Sequence, residues 1–165
     1  MKTVEIVDVE TPQHLERVRQ LFREYFRWVE FDLGFDIGYQ GVEDELAALP
    51  GYYAPPNGCL LLALDGSEAV GCVALRPMED GACELKRMYV RPGHRGQGLG
   101  RALGQAAIDS ARQIGYRLIR LDTADSLTLA RGLYASLGFR ETTPYYEAPP
   151  HLFPILVFME MSLET

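Results

Sequence analysis

Three glycines and three arginines crowd one short stretch, RPGHRGQGLGRAL (residues 91–103), at Gly96, Gly98, Gly100, Arg91, Arg95 and Arg101. A strand-like run ends before it at Val90, and an apolar helix pattern begins near Gly98 with Leu99, Leu103, Ala107 and Ile108. Uncapped N–H groups at a helix start attract an anion. Glycine lets phosphate oxygens reach the backbone with no Cβ in the way, and arginine adds charge-assisted hydrogen bonds. The chemistry this suits is the holding of a phosphate-bearing ligand.

Rival readings of the same glycines fail on spacing. A P-loop needs Gly-Lys-Ser/Thr, which is missing. A dinucleotide fingerprint finds a Gly-x-Gly here and an acid, Asp122, roughly 20 residues on. Its third glycine is out of place, however, the strand ends several residues too early, and no repeated strand–helix–strand run follows. His14, His94 and His151 show no paired spacing, so no metal site is expected. No Ser/His/Asp order supports hydrolase chemistry. Cys59, Cys72 and Cys83 each sit in an apolar run, where a free thiol packs as a small hydrophobe; that also accounts for Cys83 more simply than a covalent acyl carrier does.

The elements that must position the loop can be read along the chain. Its 165 residues are 47% hydrophobic and 24% charged, which fits one globular domain, 1–165. Residues 3–9 alternate as a strand. Thr11 and Pro12 open a helix with Leu15, Val18, Leu21, Phe22, Phe26 and Val29 at helical spacing, and a loop rich in glycine and aromatics follows from Phe31. A short helix covers VEDELAAL (42–49). Three strands follow, joined by turns at Asp65-Gly66 and Asp80-Gly81. The remainder reads helix, strand (116–123), helix closed by Gly138, and two strands. Short turns make the central strands antiparallel, and only the later helices cross over. The fold class is therefore α/β in the α+β sense, a mixed sheet flanked by helices. A net charge of −7 argues against nucleic acid as a partner. No apolar run is long enough to span a bilayer, and the N-terminus lacks a signal-peptide core, so the expected home is the cytoplasm. A homodimer is left open.

The stretch 84–103 resembles the acetyl-CoA site of the GNAT superfamily of N-acetyltransferases. That family's Arg/Gln-x-x-Gly-x-Gly/Ala signature stands here as Arg95-Gly96-Gln97-Gly98-Leu99-Gly100, after the V-x-P of Val90-Arg91-Pro92. The stretch ARGLYASLGF (130–139) is similar to the family's second cofactor-side helix, and the element order matches over nearly the whole chain. The resemblance implies a sheet splayed at its centre with acetyl-CoA as co-substrate between the parted strands. The main chain of Met88, Tyr89 and Val90 would run beside the pantetheine arm, and the amides from Gly96 to Arg101 would hold the pyrophosphate. One departure is Leu127, where the family often has Asn; Ser126 and Thr128 stand beside it.

Acyl transfer to an amine needs a proton acceptor, an acid for the thiolate and a donor to the oxyanion. The resemblance implies Tyr134 as the acid and the Met88 amide as the oxyanion donor. Glu84 lies six residues before Val90, in the spacing of a catalytic glutamate of the histone-acetylating branch. Three other accounts stay open for it: pairing with Lys86 or Arg87, simple exposure near a turn, and a water chain as the base. For the acceptor, residues 30–45 hold Glu30, Asp32, Asp36, Glu43, Asp44 and Glu45 without Lys or Arg, interleaved with Phe31, Phe35 and Tyr39. Tyr145, Tyr146, His151 and Phe153 add a late aromatic loop. Phe31, Asp32, Phe35 and Tyr145 are the expected contacts for a small primary amine, attracted by acids and packed by aromatics. A protein or peptide acceptor, and an acetyl-CoA-binding sensor without turnover, are the alternatives.

Overall fold

The computed structural model of the chain describes residues 3–35 and 41–164. Strand β1 (Glu5–Asp8) leads into helix α1 (Pro12–Arg27). The Thr11 hydroxyl accepts from the His14 N–H at 3.0 Å, and Pro12 occupies the first turn, so orphan donors of the helix start are met or removed. Past Arg27 the helix widens into a π turn over Trp28–Asp32, closed by the Leu33 N–H on the Trp28 carbonyl at 3.1 Å. The sequence pattern placed a loop from Phe31; the wider turn carries the helix a few residues further.

Helix α2 (Val42–Ala48) comes next, then the meander β2 (Cys59–Asp65), β3 (Glu68–Pro77) and β4 (Ala82–Val90). Helix α3 (Leu99–Ile114), β5 (Leu118–Ala124), α4 (Thr128–Leu137), β6 (Arg140–Thr142) and β7 (Leu156–Ser162) complete the chain. The seven strands form one sheet in the order β1-β2-β3-β4-β5-β7-β6. Every neighbour pair is antiparallel except β4–β5, which is parallel. This is the mixed, helix-flanked sheet that the element order predicts.

Strand alternation divides the interior into two cores. Cys83, Leu85, Ile119 and Leu121 join Leu103, Ala107 and Ile108 of α3 on one face. Leu60, Leu62, Cys72 and Ala74 join Val18, Leu21 and Phe22 of α1 on the other. Cys59, Cys72 and Cys83 are free and buried, as their apolar surroundings lead one to expect.

The sheet is interrupted at its centre in two ways. Strand β4 pairs with β5 only from Ala82 to Glu84, opposite Leu118 to Arg120. Both strands then run on without each other, to Val90 and Ala124. On its other side β4 bulges. Cys72 faces Tyr89 and Ala74 faces Lys86, so Val73 alone spans Arg87 and Met88. Arg87 takes φ +57, a left-handed conformation unfavourable for a side chain of its size. Its guanidinium compensates: Nε and Nη2 donate to the two Glu45 oxygens at 3.0 and 2.9 Å, and the group lies 4.7 Å from the centre of the Phe26 ring. Helix α2 is thereby fastened to the bulge.

Glu45→Ala removes this bidentate partner from a buried cation. Loss of one member of a buried pair costs about 3–5 kcal/mol, and urea unfolding should show a loss of that order. A loss below about 1 kcal/mol would mean that other contacts hold the bulge.

Candidate active site

A cleft of about 660 Å³ occupies the gap between β4 and β5. Its first end is the glycine–arginine loop. Gly98 caps α3 from the left-handed region at φ +81, and no side chain bonds to the helix start. The first turn of α3 carries no acidic residue. A Cβ built on Gly96 or Gly98 meets nothing within 4 Å, so the space over these amides is open. Arg95, Gly96, Gly98, Leu99, Gly100 and Arg101 all border the cleft. Gln97 is exposed and does not. Arg95 is set in place by its Nε bond to the Val90 carbonyl at 2.7 Å and by packing 5.2 Å from the Trp28 ring centre and 5.6 Å from that of Tyr89. Arg91 is engaged elsewhere, with Glu24 at 2.7 Å and Glu68 at 3.2 Å. Ser126, Leu127 and Thr128, at the start of α4, form the wall facing the loop.

Midway along the cleft lie Met88, Tyr89 and Val90. Met88 has no register partner on β3, because of the bulge, and none on β5, because the strands have parted. Its main chain therefore faces the gap rather than a ladder. Tyr134 enters from α4 and is 7% exposed, its ring edge-on to Phe139 at 5.9 Å. Burial, with Tyr25 and Asp122 nearby, pushes its phenol above the ordinary value, so it stays protonated at neutral pH.

The far end is walled by Tyr25, Phe26, Trp28, Val29, Leu33 and Phe35. Leu152 and Ile155 close in from the connection between β6 and β7 and Leu156 from the start of β7, with Leu152 itself buried. Two charged groups reach into this apolar end beside Arg87, Lys86 from β4 and Asp122 from β5. Tyr146 donates its hydroxyl to Oδ2 of Asp122.

Several sequence-predicted residues lie elsewhere. Glu84 is 1% exposed and belongs to a second hollow of about 430 Å³ with Arg76, Arg120 and Tyr145. Its Oε1 accepts from Arg76 at 2.7 Å and its Oε2 from the Tyr145 hydroxyl at 2.5 Å. The pairing thus runs to β3 and to the late loop, not to Lys86 or Arg87. Phe31, 74% exposed, and Asp32, also exposed, stand outside the cleft, whereas Phe35 borders it. Asp36 and Tyr39 fall outside the described residues. Glu45 is consumed by Arg87, and Glu43 and Asp44 are exposed in the first turn of α2. The acids of 30–45 therefore do not gather at the cleft among the described residues. Lys86 and Asp122 were not singled out for the acceptor end. The available signal was parity: both are charged positions in strands whose alternate residues, Leu85, Ile119 and Leu121, are core.

Comparison with known proteins agrees with this geometry. Residues 15–139 match the model of the Acetyltransferase (GNAT) family. An uncharacterized N-acetyltransferase of Schizosaccharomyces pombe is 40% identical over 162 residues, covering 97% of this chain and 95% of that protein. A GNAT-family acetyltransferase structure from Staphylococcus aureus superposes with a TM-score of 0.78 at 20% identity, over 98% of this chain and 100% of the other. The PaiA N-acetyltransferase of Thermoplasma acidophilum, solved in complex with coenzyme A, superposes with a TM-score of 0.72 at 18% identity, over 97% and 99% of the two chains. With the signature loop, the parted strands and most of its length accounted for by that family, the chain belongs to the GNAT acetyltransferases and is an acetyl-transferring enzyme.

Proposed function

We propose that the enzyme takes its acetyl group from acetyl-CoA and transfers it directly, in a ternary complex, to the primary amine of a small molecule. The observation that carries this reading is the continuity of the cleft. An anion seat at an open helix start and an apolar chamber with its own charged groups meet at one unpaired stretch of β4. The coenzyme A complex of the Thermoplasma neighbour supports the choice of donor.

The pyrophosphate sits over the amides of residues 96–101, with Arg95 and Arg101 beside it. The pantetheine arm follows the β4 main chain inward from Val90. The thioester carbonyl then lies at the Met88 N–H, which stabilises the oxyanion. The amine arrives from the apolar end as an ammonium ion and must lose a proton before attack. Its nitrogen then bonds to the carbonyl carbon and the C–S bond breaks. The departing thiolate takes the phenolic proton of Tyr134, and the phenolate is restored by the second proton that the newly bonded nitrogen gives up as the amide forms. Asp122, the carboxylate that borders the cleft, accepts the amine proton. Glu84, with both oxygens engaged outside the cleft, positions Tyr145 instead. Closure by Leu152 and Ile155 favours a small acceptor over a protein chain.

Gly98→Val should leave the fold intact by circular dichroism and weaken acetyl-CoA binding about ten-fold or more by calorimetry. The new side chain enters the open seat, and φ +81 strains it. An unchanged affinity in the folded variant would remove the loop from the cofactor site. Tyr134→Phe should lower kcat about 10²–10⁴-fold, the usual worth of general acid catalysis, with little change in cofactor affinity; full activity would return the tyrosine to a packing role. Asp122→Asn should lower kcat by a similar factor and Glu84→Gln by less than about ten-fold. The opposite order would make Glu84 the base.

A further inference from the structure

The transfer scheme leaves Lys86 unused. This side chain is 8% exposed, and what it shows, it shows to the acceptor end of the cleft. Arg76, Arg87 and Arg120, the other cations of the same region, each hold a carboxylate within 3.4 Å. Among the described residues Lys86 has no ion-pair partner within 4.0 Å and no hydrogen bond to its ammonium group. Asp122 is near enough to favour the charge but is not in contact, and its Oδ2 is taken by Tyr146. Burial outweighs that attraction and holds the lysine below its ordinary value, with Arg87 adding to the effect. A buried ammonium without a counter-ion is an expensive arrangement. An anion entering the cleft would relieve it.

That anion does not come from the donor. The phosphates belong at the Gly98 end, and the pantetheine arm and thioester carry no negative charge. It must therefore arrive on the acceptor. Resting on the small-amine reading above, we infer that the acceptor is an amino acid whose carboxylate pairs with Lys86 while its amine faces Asp122. The two groups stand on the facing edges of the parted strands, cation on β4 and anion on β5, in the complementary order for a zwitterion. The surrounding Tyr25, Phe26, Trp28 and Val29 suit an apolar side group.

Matched acceptors test this: phenylalanine against phenethylamine, and leucine against 3-methylbutylamine, each with acetyl-CoA, following thiol release. The wild-type enzyme should prefer the amino acid of each pair by about ten-fold or more in kcat/KM, chiefly through KM, as expected for a charge-assisted bond. In Lys86→Met that ratio should fall to near one, and Lys86→Arg should restore part of it. The wild type also decides without any variant: 3-phenylpropanoate should compete with the amine, and 3-phenylpropanol should not. A wild type that does not distinguish the pairs overturns the inference. So does a Lys86→Met protein that loses kcat equally on both members, because the lysine would then move protons rather than bind a carboxylate. Failure of the underlying reading looks different: no free amine of either pair is acetylated, and a lysine-containing peptide is.

Discussion

The release of the end of β4 from both its neighbours is the constraint on which the site depends, and Arg87 maintains one half of it, the bulge against β3. An uninterrupted sheet would pair the main chain of Met88 through Val90 and leave no space for a ligand. The bulge releases that segment from β3, and the parting of the strands releases it from β5. A bulge that sets a long side chain at φ +57 is not stable on backbone grounds. It persists because the same side chain makes a bidentate pair with Glu45 and packs on Phe26. Helix α2 is thus part of the site although only its Glu45 reaches the bulge. The strain in the strand and the docking of the helix are one interaction seen from two ends.

The face of the sheet toward α1 and the late loop carries an unusual density of charge for a protein interior. Lys86 apart, it is arranged in satisfied groups: Arg76 with Glu84 and Tyr145, Arg120 with Glu160, Arg87 with Glu45, and Asp122 with Tyr146. Adjacent tyrosines of one loop donate to carboxylates on two adjacent strands, and both rings pack on Phe158 of β7. This fixes the loop over the sheet at both sides of the parting, and Leu152 and Ile155, further along the same connection, border the cleft. Buried charge of this kind contributes little net stability. What it supplies is orientation, because a slip of one residue in any strand would leave several ions without partners.

The fold was legible because its signals are local. Thr11-Pro12, the turns at Gly66 and Gly81, and the apolar spacing of α1 and α3 depend on near neighbours, and the structure follows them. The glycine–arginine loop carries the same kind of local signal, since a glycine-rich helix start lays out its own open amides. The opposite end of the cleft does not. Charge counting along residues 30–45 treats acids as a field, whereas Glu45 is neutralised by a partner distant in sequence and Asp32 faces solvent. Glu84 stands out in the sequence as an isolated acid in a central strand, but its partners come from β3 and from the loop after β6. No window of sequence contains all three. Lys86 enters the sequence reading only as a candidate partner of Glu84, and the cations around it do not act together: Arg91 turns to Glu24, Arg87 to Glu45, and Arg95 and Arg101 border the cleft.

Arg95 shows how the two ends of the cleft are joined. Its guanidinium belongs to the signature loop, yet it packs on Trp28 of the π turn and on Tyr89 of the bulged strand, while its Nε holds the Val90 carbonyl. The loop is therefore held in one conformation by the protein's own contacts. The same contact sets a wall of the cleft, because Trp28 borders it beside Val29 and Tyr25. A wider helical turn at Trp28 is what allows this. An α-helix continued through Asp32 would rotate these side chains about its axis, and a loop begun at Trp28 would leave them without a fixed direction. The π turn gives the aromatic wall of the cleft the same backbone frame as α1, and Arg95 ties that frame to the glycine-rich start of α3.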